Sequence, residues 1–299
     1  MLALKEALEA FKQLSAEEFR VLSAVERCMA KYMYVPIKEI SKLTGYDENY
    51  TSILVRKLNL MGLLQRYSGN YVGYILTSRG YDCLALNTLM KRGVLEGIGT
   101  SPLGRGKESD VYPGKTMGNK FVAVKFHRIG RTSFRQTRKV RSYIGKRHHI
   151  SWLYQSRLAA KSEYRALQIL HPFGVSVPKP IDWNRHVVIY EYLEGVELFR
   201  TPKLIDVELF KDLLLKEILK AYEKGIIHCD LSEYNVMVVG EKPVLFDWPQ
   251  WVSSSHPMAM HYLKRDIYNI LTFFKRKYDL SCDWDEAINK LLSGGRRVA

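Results

Sequence analysis

Three polar residues stand at the ends of short apolar runs in residues 225–247, namely Asp230, Asn235 and Asp247. Runs of this length that are rich in β-branched residues are typical of buried strands, so these side chains are expected at strand ends. Phosphoryl transfer needs one carboxylate beside the attacking oxygen, and it needs an amide oxygen and a second carboxylate to hold Mg²⁺ against the phosphates. Asp230 fits the first role, whereas Asn235 and Asp247 fit the other two.

The spacing of these residues matches a known pattern. His228-Cys229-Asp230-Leu231 followed by Asn235 fits H-x-D-L-x-x-x-N, the catalytic loop of protein kinases. Asp and Asn are also ordinary loop residues, so the interpretation needs an ATP-anchoring Lys upstream. The run FVAVK, which ends in Lys125, matches the strand whose Lys holds the α- and β-phosphates. A surface Lys would explain this run alone, but the order of the motifs favours the ATP role.

Glu163 is the predicted partner of Lys125. The stretch 151–170 has the periodicity of a helix, and Glu163 shares its apolar face with Ala159, Ala160, Ala166, Leu167 and Leu170. An acid on an apolar face is costly to bury unless it is paired. We therefore expect an ion pair with Lys125, although a Glu at the edge of the stripe could also reach water.

Two further segments are expected to contact a nucleotide. The run LGRGKESDV resembles a kinase phosphate loop, whose glycines let backbone N–H groups approach phosphates, and its candidate residues are Gly104, Gly106, Lys107 and Ser109. Ser109 stands where a third glycine is usual, and a plain hairpin turn would also explain the run. The apolar strand 187–190 leads into EYLEG, which predicts a hinge between two lobes. The Glu191 carbonyl and the Leu193 N–H are expected to pair with adenine.

Residues 1–92 predict a separate small domain. Three helices, a hairpin over 63–77 and a fourth helix from about 78 to 91 follow each other in the order of a winged helix. Such modules often place their third helix in a groove of DNA or RNA, and a protein-docking module of the same fold is an equal alternative. Ile53, Leu54, Leu58 and Met61 of that helix are expected to face the core. The residues expected to face outward are Asn49, Tyr50, Ser52, Arg56 and Lys57.

The composition is that of a globular protein with a concentrated positive charge. The chain has 299 residues, 46% of them hydrophobic, and a formal net charge of +15. Residues 126–162 hold ten Lys or Arg and no Asp or Glu. We therefore expect the basic loop 126–150 to contact rRNA or the phosphates of the nucleotide. A solvated linker is the plain alternative.

The sequence predicts neither a membrane partner nor secretion. No apolar run reaches the roughly 18 residues of a membrane span, and the N-terminal stretch lacks the apolar core and cleavage site of a signal peptide. The four cysteines are scattered, without a C-x-x-C pair. Such cysteines are typical of reduced thiols, so we expect a cytoplasmic protein.

Together, the motifs resemble those of one family, the RIO kinases, which are atypical protein kinases of ribosome assembly. The likeness is carried by GKESDVY, HRIGRTSFR, SWLYQSRLAAKSEY, VPKPIDWNRH and HCDLSEYNV, which are similar to the branch with an N-terminal winged helix. It covers essentially the whole chain. It implies an α/β (α+β) chain with a winged helix at 1–92 and a truncated bilobal protein-kinase-like domain at 93–299, with lobes at about 93–190 and 191–299.

The resemblance also implies a function. It implies an ATP-dependent atypical serine/threonine-protein kinase or ATPase that uses Mg²⁺ or Mn²⁺ and phosphorylates itself, with a transient phosphate on Asp247. The implied partners are the small ribosomal subunit precursor, its rRNA and the ribosome assembly proteins, in pre-rRNA processing. A compact archaeal member of the branch is the expectation.

The chain departs from ordinary protein kinases in its second lobe. Ser232 replaces the Lys that usually steadies the γ-phosphate, Trp248-Pro249 follows Asp247 in place of Phe-Gly, and no A-P-E follows. Residues 248–299 are too few for an activation segment and a peptide-binding subdomain, which favours ATP hydrolysis or autophosphorylation over processive protein phosphorylation. Two alternatives stay open: a nucleotide-bound winged-helix scaffold that binds RNA or DNA with little turnover, and a winged-helix transcription regulator with a small-molecule sensor domain.

Overall fold

The chain divides into two compact units, Met1–Ser101 and Pro102–Ala299. The structure, a computed structural model, describes residues 3–129 and 152–280. The division falls within the glycine-rich segment 93–106.

The first unit has the winged-helix order that the sequence predicts. Within residues 3–101, the helices are α1 (Ala3–Phe11), α2 (Ala16–Cys28), α3 (Ile37–Thr44), α4 (Glu48–Leu60) and α5 (Ser78–Lys91). Strands β1 (Val35–Pro36), β2 (Leu64–Ser68) and β3 (Val72–Leu76) form an antiparallel sheet in the order β1–β3–β2, and β4 (Gly97–Ile98) follows α5.

Local signals define the ends of these helices. The side chain of Ser15 accepts from the backbone N–H of Glu18, and the Glu18 carboxylate accepts from the Ser15 N–H at 2.9 Å, which together form a capping box before α2. Asp47 accepts from the Tyr50 N–H at 2.9 Å and so begins α4. Gly45 ends α3 with a φ of 74°, a left-handed conformation that glycine adopts without a steric cost.

The buried face of α4 differs in part from the predicted one. Thr51, Leu54, Val55 and Leu58 are buried, whereas Ile53 is 62% exposed, so the prediction for Ile53 is wrong. The buried positions follow the three- and four-residue spacing of one helical face, and Ile53 lies beside that face. The side chains predicted to face outward are exposed or half-buried: Asn49, Tyr50, Ser52, Arg56 and Lys57.

The second unit begins with an antiparallel sheet that carries the predicted nucleotide site. Its strands are β5 (Gly104–Arg105), β6 (Ser109–Lys115), β7 (Phe121–His127), β8 (Pro180–Asn184) and β9 (Val187–Glu191). β5 pairs with β6, β6 with β7, β7 with β9 and β9 with β8. Val111 and Val188 lie opposite Lys125 on either side, so Lys125 is in a central strand. Helix α6 (Trp152–Leu170) packs against β8 and β9.

The rest of the second unit, as far as residue 280, consists of helices and short strands. Its helices are α7 (Val207–Glu223) and α8 (Ala259–Tyr278), and its strands are β10 (Val196–Glu197), β11 (Ile226–Ile227), β12 (Val236–Val239), β13 (Lys242–Leu245) and β14 (Val252–Ser253). One small sheet has the order β10–β12–β13, and β11 pairs with β14. Phe210 of α7, Phe274 of α8 and Trp248 belong to one hydrophobic core, which fixes the strands between the helices.

Most of the basic loop 126–150 lies outside the described residues, which end at Ile129 and resume at Trp152. The predicted contact of this loop with RNA therefore stays a prediction. None of the helices that the structure describes between residues 3 and 280 has the length and apolar surface of a membrane span.

Candidate active site

A β-hairpin carries the predicted phosphate loop. Gly104 of β5 pairs with Val111 of β6, and the backbone N–H of Gly106 donates to the Ser109 carbonyl at 2.8 Å. Lys107 is exposed at the tip. A Cβ atom at Gly104 would meet no other heavy atom within 4 Å, so open space lies beside this backbone. The hairpin can therefore admit an anion close to its main chain.

Lys125 lies at the centre of the site, between two carboxylates. Its Nζ is 2.8 Å from both oxygens of Glu163 and 2.6 Å from Oδ1 of Asp247. The Lys125 and Glu163 side chains are 3% and 2% exposed, so the predicted ion pair is formed and buried between β7 and α6. His127, also on β7, places Nε2 2.8 Å from Oε2 of Glu163. Asp247, with 34% of its side chain exposed, is the member that solvent can reach.

Burial and neighbouring charges shift the pKa values of these groups in opposite directions. Burial alone would lower the pKa of Lys125, but the charges of Asp247 and Glu163 outweigh it and raise that pKa. Burial would raise the pKa values of Glu163 and Asp247, and the ammonium of Lys125 instead holds both below their ordinary values. All three groups are therefore ionised at neutral pH, and two negative charges surround one positive charge.

Two residues with positive φ lie in the loops of the predicted catalytic groups. Cys229, directly before Asp230, has a φ of 66°, and Asp247 has a φ of 68°. Residues other than glycine seldom adopt this conformation, and it persists where the surrounding structure holds it. Asp266 of α8 holds the first loop, because its carboxylate accepts from the backbone N–H groups of Cys229 and Leu231 at 2.8 and 3.2 Å.

Asn235 joins the loop of Asp230 to the segment before Asp247. Its side-chain Nδ2 donates to the backbone carbonyl of Asp230 at 2.7 Å, and its backbone carbonyl accepts from the Phe246 N–H at 3.1 Å. Because the amide nitrogen is used inside the loop, the amide oxygen is the atom that can face a cation. Asp230 itself is exposed, which suits an acid that has to meet a substrate hydroxyl.

The predicted hinge follows β9 and is held at both ends. The Glu191 N–H donates to the Lys179 carbonyl at 3.0 Å, and the Glu191 carboxylate accepts from the Lys179 N–H at 2.9 Å. Leu193 lies past the end of the strand and is half-buried. At Gly195 a Cβ atom would come within 2.5 Å of the Val238 carbonyl oxygen in β12, so only glycine fits this crossing.

Sequence reasoning missed the support that α8 gives to the catalytic loop. Asp266 is 1% exposed, and burial raises its pKa to about 7 although the hydrogen bonds from Cys229 and Leu231 lower it. Asn269 donates to the Leu231 carbonyl at 3.1 Å. The signal was an acid on an apolar helix face, since Asp266 lies beside Ile267 and Ile270, which are buried, and the same signal identified Glu163.

A second missed contact fixes the segment of Asp247. The Nε2–H of His228 donates to the Phe246 carbonyl at 3.0 Å, and its ring centroid lies 4.4 Å from that of Trp248. Burial lowers the pKa of His228, so the ring is neutral when it makes this bond. Trp248 is 1% exposed, which anchors the chain directly after Asp247 in the core. Trp248, which stands where protein kinases usually have Phe, is thus a packing residue.

These residues fit a nucleotide with a divalent cation. Mg²⁺ prefers oxygen ligands and usually takes only one or two from the protein, with the others from phosphates and water. Asn235 and Asp247 supply an amide oxygen and a carboxylate, and the two carboxylates around Lys125 leave a net negative charge for a cation to meet.

The fold and the site define a class. An antiparallel sheet with a lysine paired to a helix carboxylate, and a D-x-x-x-x-N loop ahead of the carboxylate of Asp247, make the second unit a protein-kinase-like domain. The model of the RIO domain matches residues 110–287, and the model of the Rio2 N-terminal domain matches residues 11–92. The chain belongs to the RIO family of atypical serine/threonine-protein kinases, on its Rio2 branch.

Relatives share both domains. The chain is 41% identical over 267 residues to the RIO-type serine/threonine-protein kinase Rio2 of Methanocaldococcus jannaschii. The matched region covers 87% of the chain and 96% of that protein. It is 40% identical to the serine/threonine-protein kinase RIO2 of Caenorhabditis elegans over 91% of the chain, but it spans only 52% of that protein. The Rio2 kinase of Chaetomium thermophilum, solved as an ADP/Mg²⁺–phosphoaspartate complex, matches with a TM-score of 0.80 and 32% identity over 93% of the chain and 87% of that structure.

Proposed function

We propose that Lys125, Asp230, Asn235 and Asp247 transfer the γ-phosphoryl group of Mg²⁺-ATP in this chain. The observation that carries the proposal is the position of the Lys125 ammonium, which lies 2.8 Å from Glu163 and 2.6 Å from Asp247. A kinase needs its strand lysine held by a helix carboxylate, and its metal-binding acid beside it, before transfer occurs. Both contacts support the assignment.

The nucleotide is held around this centre. The groups that bind it are Gly104, Gly106, Lys107, Ser109, Lys125, Glu163, Glu191 and Leu193. The first four belong to the hairpin, whose open backbone at Gly104 suits the phosphates. Lys125 contacts the α- and β-phosphates and is kept in place by Glu163. The carbonyl of Glu191 and the N–H of Leu193 pair with adenine.

The remaining groups act on the phosphoryl that is transferred. Asn235 and Asp247 hold Mg²⁺ or Mn²⁺, which neutralises charge on the phosphates when it is bound. Asp230 takes the proton of the attacking hydroxyl or water. Because Ser232 cannot supply the positive charge of the usual loop lysine, Lys125 and the cation carry that charge.

Asp247 is also the proposed site of a transient phosphate. Its side chain is 34% exposed beside Lys125, and the Chaetomium relative was solved with a phosphoaspartate. An oxygen of the Asp247 carboxylate forms a bond to the γ-phosphorus as the bond from that phosphorus to the β,γ-bridging oxygen breaks, and ADP leaves. Water then hydrolyses the acyl phosphate and restores the carboxylate. The net reaction is ATP hydrolysis.

We place this activity in maturation of the small ribosomal subunit, in the cytoplasm, with the precursor particle, its rRNA and assembly proteins as partners. Membership of the Rio2 branch and the concentrated positive charge of the chain support this role.

The test combines full-length chain, Mg²⁺ and γ-labelled ATP, with and without small-subunit precursor particles. We expect phosphate release or protein labelling that requires the metal, and ATP-dependent change in the amount of chain bound to the particles. A chain that binds ATP yet neither releases phosphate nor becomes labelled would leave the nucleotide-bound scaffold as the better account.

The basic loop 126–150 is the proposed rRNA contact within the second unit. Replacing Arg135, Arg138, Lys139 and Arg141 with Ala should flatten the salt dependence of RNA affinity by roughly three units of slope if all four meet phosphates, because each contact contributes about 0.7–0.9. ATP hydrolysis without RNA should change much less. An unchanged slope would identify the stretch as a solvated linker.

A further inference from the structure

We propose that the outer face of the β2–β3 hairpin is a stacking platform for unpaired bases of single-stranded RNA. The platform consists of Tyr34, Tyr67 and Tyr71 and is called the tyrosine face below. It deepens the proposed ribosomal role and rests on that role for the choice of RNA. It does not depend on the kinase chemistry, which belongs to the other unit.

The three rings form one ordered cluster. The centroids of Tyr34 and Tyr67 are 4.6 Å apart with an interplanar angle of 16°, so the rings are stacked. Tyr71 meets Tyr67 edge to face at 5.8 Å and 64°. The Tyr71 hydroxyl donates to the Tyr34 carbonyl at 2.8 Å, which fixes this ring to the chain before β1. Aromatic rings held in place lose little conformational entropy when a base stacks on them.

The strand register turns this cluster away from the core. Tyr67 lies opposite Gly73, whereas the neighbouring residue Tyr74 is 2% exposed and faces the core. Successive side chains of a strand point to opposite faces, so Tyr67 and Gly73 share the outer face. A Cβ atom at Gly73 would lie 2.9 Å from Cβ of Tyr34 and 2.9 Å from Cε2 of Tyr71. The glycine therefore makes the room in which the rings lie over the sheet.

The rings are ordered but not covered. Tyr67 is 36% exposed and Tyr71 is 43% exposed, and the nearby Met33 is 75% exposed. Cross-strand aromatic pairs also stabilise hairpins, and that contribution is present here. It does not use the exposed ring surface, which remains available to a partner.

The local charge favours a polyanion over an ordinary protein partner. Residues 49–81, which include the hairpin and all of α4 except its first residue, Glu48, contain four Lys or Arg and no Asp or Glu. Lys57 lies 2.6 Å from Glu18, and Arg79 is paired with Glu6, so these two charges are partly neutralised. Arg56 and Arg66 are exposed, but Arg66 lies opposite Tyr74 and is therefore on the other face of β2 from Tyr67. The two cations therefore flank the tyrosine face and do not lie on it, and aromatic rings combined with basic side chains bind single-stranded nucleic acid.

The test measures RNA binding by the full-length chain. The variants are Tyr67→Leu and Tyr71→Leu, which keep an apolar side chain, and Tyr67→Phe, which keeps the ring. Base stacking on an aromatic ring is lost in the leucine variants, so affinity for an unpaired RNA oligonucleotide should fall about 5- to 150-fold for each base that stacks. Tyr67→Phe should bind like the wild type. Affinity for the same sequence in duplex form should change little, since its bases are already stacked.

The salt dependence separates stacking from charge. Tyr67→Leu should lower RNA affinity at every salt concentration and leave the slope unchanged, whereas Arg66→Gln should reduce the slope by about 0.7 if it meets one phosphate. Tyr268→Leu, at an exposed tyrosine of the second unit, is the matched control and should bind RNA normally. Circular dichroism melting verifies that each variant is folded, and ATP turnover should be unchanged in all of them.

A measurement on the wild-type chain does not depend on the folding of variants. RNA that carries 4-thiouridine should crosslink on irradiation to peptides that contain Tyr67 or Tyr71. Unchanged RNA affinity in both leucine variants, together with crosslinks confined to the second unit, would overturn the proposal and leave the tyrosine face as a protein contact or a stabiliser of the hairpin. Normal ATP turnover in that case would leave the proposed kinase function standing.

Discussion

The ammonium group of Lys125 lies 2.6 Å from Oδ1 of Asp247, although the two residues are 122 positions apart in the chain. The contact joins the central strand of the sheet to the segment that follows β13. Glu163 holds the same ammonium at 2.8 Å from the helix side. In the proposed reaction, ATP enters beside an ion pair that already exists, and Lys125 would turn from Asp247 to the phosphates while Glu163 retains it.

The first prediction concerns Lys125 and Glu163 as a unit. Lys125→Met and Glu163→Gln should each lower kcat/KM for ATP hydrolysis strongly, and the double variant should be little worse than either single one, because residues that act together have non-additive effects. Steady-state kinetics with saturating Mg²⁺ measure this. Lys161→Met, at an exposed lysine of the same helix, is the control and should keep its activity. Fully additive losses would show that the pair does not act as a unit.

The second prediction separates chemistry from binding at Asp230. Asp230→Asn keeps the shape of the loop but cannot take a proton, so turnover should fall by about 10²–10⁴-fold. Nucleotide affinity, measured by calorimetry, should stay within a few-fold of wild type, because Asp230 lies outside the predicted phosphate contacts. Asp212→Asn, at a 70% exposed carboxylate of the same lobe, is the matched control. Normal turnover in Asp230→Asn would contradict the assignment.

The third prediction concerns the chemical nature of any phosphate on the protein. Wild-type chain incubated with γ-labelled ATP and Mg²⁺ should carry a label that hydroxylamine removes, because hydroxylamine cleaves acyl phosphates and leaves phosphoserine intact. Asp247→Asn should carry no such label and should lose metal-dependent turnover. Label on the wild type that resists hydroxylamine would favour autophosphorylation at Ser or Thr instead.

The sequence predicted the groups that stand in motifs and missed those that act through packing. Lys125 and Glu163 could be paired from the sequence because a buried lysine and an acid on an apolar face each need a partner, and the structure forms that pair. Asp266 gives the same kind of signal, but its partners are backbone N–H groups, which the sequence does not mark. The exposure of Ile53 shows a second limit of sequence-based prediction. The spacing of apolar residues identifies the buried face of a helix, but it does not show how wide that face is.

The fourth prediction concerns Asp266 and pH. Burial raises the pKa of its carboxyl from the ordinary 3.8 to about 7, so between these values the folded chain keeps a proton that the unfolded chain has released. The free energy of unfolding therefore falls as pH rises through this window, by at most about 1.4 kcal/mol per pH unit from this group. Above about pH 7 the contribution is constant.

Asp266→Asn removes this titration. Urea unfolding of wild type and variant between about pH 5 and about pH 8 should show a stability difference that changes with pH in the stated direction. Glu163 and Asp247 have lowered pKa values, so their contribution to the free energy of unfolding is lost only at lower pH. That contribution is the same in wild type and Asp266→Asn, and it cancels in the difference between them. Asp212→Asn should follow the wild type throughout, and a pH-independent difference for Asp266→Asn would disprove the assignment.

A buried cluster of Arg128, Asp110 and His186 lies next to the hairpin that carries the predicted phosphate loop. Nε of Arg128 lies 3.7 Å from Oδ2 of Asp110, and Nη1 of Arg128 lies 3.2 Å from Nε2 of His186. The Arg128 and Asp110 side chains are 6% and 5% exposed. Asp110 directly follows Ser109 in β6, and the Arg128 N–H donates to the Glu108 carbonyl at 2.5 Å. Arg128 therefore contacts the hairpin through both its side chain and its backbone.

The fifth prediction is that Arg128→Met loosens this hairpin. The variant removes the guanidinium that lies 3.7 Å from the buried Asp110 carboxylate, so the free energy of unfolding should fall. KM for ATP should rise more than kcat falls, because the change reaches the phosphate loop and not Asp230 or Lys125. Asp110→Asn combined with Arg128→Met removes both charges and should recover part of the free energy of unfolding. Urea unfolding and steady-state kinetics on the three variants measure both effects. If the double variant were as unstable as the sum of the single ones, Asp110 and Arg128 would not interact, and the hairpin would owe its position to the sheet alone.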